Sequence, residues 1–100
     1  MVAVDTHVLV YAHRREAAEF PVASAVVRAL AEGRAPWAIP WPCLYEFHSV
    51  VTNPRIWKES ASTPIEAGAQ VEAWVGSPSL HLLREVDGFV ARFAGFATRP

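Results

Sequence analysis

The chain has 100 residues, of which 52% are apolar and 11% aromatic, and a net charge of −1. That is enough for one small domain with a real core, and too near neutrality for a strongly basic nucleic-acid coat, although a focused basic edge is allowed. Cys43 is the one cysteine, which excludes a disulfide framework and a cysteine zinc site; no apolar run reaches bilayer length, and the start lacks a secretory signal pattern, so a cytoplasmic protein is expected.

Residues 2–4 are short, apolar and mostly β-branched, which predicts a buried strand. Asp5 then falls at the strand's C-terminal end, within an apolar run and with no Lys or Arg beside it. Burying a carboxylate costs several kcal/mol, roughly, unless something pairs with it. In open α/β sheets this edge is where ligands bind, so Asp5 followed by Thr6 suggests a metal or phosphate site. The alternative is an Asx-turn or helix cap closing the strand.

Residues 11–19 are polar and carry Arg14 and Arg15, which predicts a loop. Those arginines could meet phosphates or an acidic partner, or simply be solvated. Pro21 opens a helix with Val22, Val26, Ala29 and Leu30 at helical spacing, and Gly33 stops it. A second brief strand is expected at 37–40 and a further helix from Pro42, its stripe formed by Leu44, Phe47, Val50 and Val51 and its end by Asn53-Pro54. Thr63-Pro64-Ile65-Glu66 is a capping box with proline at the first helical position. The helix it opens closes at Gly76, and residues 79–83 form a third strand. This order predicts an α/β fold, a parallel sheet with covering helices, in one domain over residues 1–100.

Glu46 interrupts the apolar helix that follows the second strand. One reading is a half-exposed residue at the border of a packed stripe. The other is functional: the helix start shares the sheet edge with Asp5, and two converging carboxylates repel unless a divalent cation offsets them. His48 falls on a different helical face from Glu46 and reads as structural. Trp37, Trp41 and Trp57 could stack bases or fill a core or interface, and Cys43 reads as a small buried hydrophobe.

Val-Asp-Thr-His-Val-Leu-Val-Tyr-Ala at 4–12, Pro-Trp-Pro-Cys-Leu-Tyr-Glu-Phe at 40–47, Thr-Asn-Pro-Arg at 52–55 and Thr-Pro-Ile-Glu-Ala at 63–67 together resemble the PIN-domain ribonucleases, in particular the VapC-type toxins of toxin–antitoxin pairs. The resemblance implies a PIN-like three-layer α/β domain and a Mg²⁺- or Mn²⁺-dependent endoribonuclease held in check by a cognate antitoxin. A homodimer is expected as one way to cover apolar surface that an abbreviated domain leaves open, and with no apolar run of bilayer length no membrane partner is expected. Carried over, Asp5 and Glu46 take the first two acidic positions, Asp87 the fourth, and Thr6 the hydroxyl position that helps place water.

The chain departs from the family after the third strand, where the C-terminal part is abbreviated. The helix bearing the third acid is expected to be missing between Leu83 and Val86. Asp5 and Asp87 are the only aspartates, so no other fills that place. Glu85 stands where the family often has Thr or Ser, and His7 where it has Asn or Ser; either is a conceivable substitute ligand, with His favouring Mn²⁺. The alternative to an enzyme is a catalytically impaired PIN-like module that pairs with an antitoxin or with itself.

Overall fold

Three short parallel strands order themselves β1-β2-β3, with β2 in the centre. The computed structural model describes residues 1–84. Strand β1 (Val2–Ala3) leads into α1 (Thr6–His13) and α2 (Phe20–Glu32); β2 (Trp37–Pro40) leads into α3 (Trp41–Val51), α4 (Pro54–Trp57) and a 3-10 turn (Lys58–Ser60); α5 (Pro64–Val75) precedes β3 (Leu80–Leu83). Ala3 pairs with Ala38 and Ala38 with His81, so the strands are in near register. Trp37, Ala38 and Ile39 in the central strand are all buried, as a strand covered on both faces requires. The α/β class, the parallel sheet and the covering helices are as the sequence predicts.

The core runs from the sheet into the helices. Val4, Val8, Leu9, Trp37, Ile39, Phe47 and Val51 are almost fully removed from solvent. Phe47 meets Trp74 edge-on at 4.8 Å between ring centroids and His13 at 5.2 Å, which ties α3 to α5 and to α1. The indole Nε1 of Trp37 donates to Ser77 Oγ at 3.2 Å, so the largest core side chain keeps its polar atom satisfied.

Two local features behave as expected. The Thr63 hydroxyl accepts from the Glu66 amide at 3.1 Å while the Glu66 carboxylate accepts from the Thr63 amide at 2.9 Å, completing the capping box. Pro40, Pro42, Pro54 and Pro64 each stand where a helix begins, at a cap or in the first turn, where the missing N–H is harmless.

Other expectations are corrected. The loop expected from residue 11 begins later, because α1 runs to His13. Its β-branched residues are poor helix formers, but Val8, Leu9 and Val10 are buried and packing outweighs propensity. Gly33 ends α2 with an ordinary φ of −85° rather than in the left-handed region. Glycine is needed there for space: a Cβ would lie 2.9 Å from the Ala29 carbonyl oxygen.

Arg14 is the largest correction. It is 5% exposed and neither solvated nor available to phosphate. Its guanidinium donates to Ser62 at 3.3 Å and to Ser60 at 3.1 Å, pairs with Glu16, and lies 4.0 Å over the Trp57 ring. His13 beside it bridges Ser62 at 2.9 Å and Gln70 at 3.1 Å. Together these residues fasten the C-terminal end of α1 to the 3-10 turn and to α5. Trp57 thus serves packing, and its Nε1 donates to the Val50 carbonyl at 2.8 Å.

Candidate active site

Asp5 sits between β1 and α1 and caps the helix. Its backbone is extended, and Oδ1 accepts from the Val8 amide at 3.3 Å. The cap reading of Asp5 therefore holds, and it leaves the second carboxylate oxygen available to another ligand. Both readings fit one residue, because a cap consumes only one of the acceptor positions of a carboxylate.

Glu46 arrives from the neighbouring strand. β1 and β2 run parallel, so α1 and α3 both begin at the C-terminal edge of the sheet, and Glu46 stands in the second turn of α3. It is exposed, as is His7, whereas Asp5 and Thr6 are half-buried. The Thr6 hydroxyl donates to Glu46 Oε1 at 2.5 Å. This bond joins α1 to α3 and places Asp5, Thr6 and Glu46 on one sheet edge.

Cys43 belongs to the same cluster, and the sequence reading missed this. Its thiol is half-buried, and burial pushes its pKa up. Hydrogen bonding with Thr6 partly offsets that shift, while the negative charges of Glu46 and then Asp5 reinforce it. The signal in the sequence is position: Cys43 is one helical turn before Glu46, hence on a neighbouring part of the same face.

The donor set is made of hard oxygens, two carboxylates and a hydroxyl, and this chemistry fits Mg²⁺ or Mn²⁺, which keep several waters and need few protein ligands. Among the described residues no group of three or more His, Cys, Asp and Glu side chains is arranged to hold a metal. Asp87 and Glu85, the other acidic candidates, lie outside the described residues. His48 is half-buried on α3, and Arg15 is exposed beyond the C-terminal end of α1. Trp41 is 42% exposed and so is not a core residue. No helix among the described residues is long and apolar enough to cross a membrane.

A small parallel sheet with an acid closing the first strand and a second acid on the helix after the next strand is compatible with a PIN-like domain. Comparison with known proteins agrees. The chain is 37% identical over 84 residues to VapC ribonuclease Mb2897 of Mycobacterium bovis and to Ribonuclease VapC43 of Mycobacterium tuberculosis. The match covers 84% of this chain and 56% of each relative, so the chain spans little more than half their length. No protein-family model matches it. The chain is thus similar to VapC ribonucleases over most of its own length, in agreement with the resemblance carried by its motifs.

Proposed function

We propose that this chain carries the catalytic edge of a divalent-metal-dependent endoribonuclease, the toxin of a VapBC-type pair. Its substrate would be RNA, its partners a cognate antitoxin and a second copy of itself, and its place the cytoplasm. The observation that carries the reading is the bond between Thr6 and Glu46, which holds a second carboxylate at the sheet edge that Asp5 already occupies. Two anionic groups brought to one sheet edge make sense as a cation site.

Asp5 and Glu46 would hold the cation, with Asp87, at the family's fourth acidic position, proposed to join them. When bound, a divalent ion would supply positive charge against the negative charge that develops on the phosphodiester and would acidify a water. Thr6 keeps Glu46 in one orientation, so that less of its side-chain freedom remains to be lost when the ligand arrives. Asp5 is held by its own helix, through the Val8 amide.

The test is cleavage of single-stranded and structured RNA by the purified chain with Mg²⁺ or Mn²⁺, beside Asp5→Asn. Cleavage that needs the cation and disappears in the variant supports the enzyme. A folded protein that cleaves nothing under these conditions is instead a binding module that pairs with an antitoxin or with itself.

A further inference from the structure

A cavity of about 460 Å³ lies between α2 and α5, over the C-terminal end of α1. Its volume falls in the range of small-molecule sites, roughly 300–1,000 Å³. None of Asp5, Thr6, Cys43 or Glu46 lines it, so it is separate from the candidate active site. Its walls include Arg15, Phe20, Val27, Arg28, Gln70 and Trp74, and no Asp or Glu.

The polar groups of this wall are donors in excess. Arg15 and Arg28 are exposed, and neither has an ion pair or hydrogen bond among the described residues. They bring two permanent positive charges that no carboxylate of the wall offsets. Gln70 adds a placed donor: His13 Nδ1 donates to its Oε1 at 3.1 Å, which fixes the amide, while its own N–H groups have no partner among the described residues. Trp74 adds another. It is only 5% exposed, yet its indole N–H has no partner among the described residues. Nor is that nitrogen sealed from solvent, as Arg14 Nε is. Buried indoles normally find an acceptor for this group, as Trp37 does at Ser77.

Several donors, two fixed positive charges and no acid call for an anion. A phosphate monoester carries a charge of about −1.5 to −2 at pH 7 and accepts through three oxygens, so it can offset both arginines, where a monocarboxylate offsets one. Phe20 and Val27 make part of the wall apolar, and an inorganic ion would leave them wet. We propose that this cavity binds a small organic phosphate monoester, its phosphate facing Arg15 and Arg28 and its apolar body against Phe20 and Val27. The site lies beyond the endoribonuclease reading and does not depend on it.

The test is calorimetric titration with phenyl phosphate in EDTA, so that no cation at Asp5 and Glu46 captures the ligand, and in about 0.1 M salt, which screens distant charges. Arg15→Gln and Arg28→Gln, each shown by its melting curve to be folded, are expected to weaken binding about tenfold. Arg34→Gln makes the same charge change at an exposed residue outside the cavity and should leave binding within about twofold. Benzoate and inorganic phosphate should bind at least about tenfold more weakly than phenyl phosphate, the first for want of charge and the second for want of an apolar body. Equal binding by the parent chain, Arg15→Gln and Arg28→Gln overturns the proposal, as does no binding to the folded parent chain. An equal loss in all three variants is a general charge effect and overturns it too. Benzoate or inorganic phosphate binding as tightly as phenyl phosphate overturns the assignment of a phosphate monoester.

Discussion

The Thr6 hydroxyl donates to Glu46 Oε1 at 2.5 Å, joining residues forty positions apart at the point where two helices leave one sheet edge. The bond is exposed, so its contribution to stability is modest, about 1 kcal/mol. Its importance lies in orientation. Thr6→Val is expected to lower the unfolding free energy by about that amount and to reduce stabilisation by Mn²⁺ more than it reduces intrinsic stability. Thr6→Ser, which keeps the hydroxyl, restores both. Thermal unfolding with and without the ion checks this.

Asp5 is expected to show two separable roles. Asp5→Ala removes the cap as well as the charge and should cost about 1 kcal/mol in chelator. Asp5→Asn keeps an oxygen for the Val8 amide and should unfold within about 0.5 kcal/mol of the parent chain under the same conditions. Both variants should lose the stabilisation that Mg²⁺ confers. Urea unfolding in EDTA and in Mg²⁺ separates the cap from the ligand.

Arg14→Ala should be among the most destabilising single changes, by roughly 2–3 kcal/mol, because the hydrogen bonds to Ser60 and Ser62 and the packing on Trp57 go together. The salt dependence of RNA binding should not change, since a buried guanidinium touches no phosphate. Glu16 adds a pH signature. Its backbone hydrogen bond, and then its bond and charge pairing with Arg14, hold its carboxyl below the usual 4.5. A carboxyl depressed by folding contributes stability above its ordinary pKa and loses it as pH falls through the lower, folded value. Acid unfolding of Glu16→Gln should therefore be flatter below about pH 4.5 than that of the parent chain.

Much of this was legible before any coordinates. The three strands, the proline-started helices and the capping box at Thr63 follow from local chemistry, which a linear sequence displays. Asp5 and Glu46 were legible for a related reason: in a parallel sheet the residues after successive strands share an edge. Arg14 and Cys43 were not. A polar run containing two arginines looks solvated until Ser60, Ser62 and Trp57 arrive from some 45 residues away to enclose one of them. Cys43 looked like filler because the Thr6 hydrogen bond and the Asp5 charge that act on its thiol come from a segment some forty residues away.

Cys43 supplies a chemical probe of the cluster. Burial pushes its thiol up, and Glu46 and Asp5 add to that shift. Iodoacetamide should label it slowly at pH 8 compared with a free thiol, since the thiolate is the reactive form. Asp5→Asn removes one of the opposing charges and should speed the reaction at constant pH. An unchanged alkylation rate would place the Asp5 charge away from the thiol.

The central claim is that Asp5 and Glu46 form a single cation site. Its most direct test is calorimetric titration of the purified chain with Mn²⁺, beside Asp5→Asn and Glu46→Gln, each shown by its melting curve to be folded. The account expects one ion per chain in the parent protein, bound at least tenfold more weakly in each variant. Binding of equal strength in parent and variants, or no binding to the folded parent chain, would contradict it.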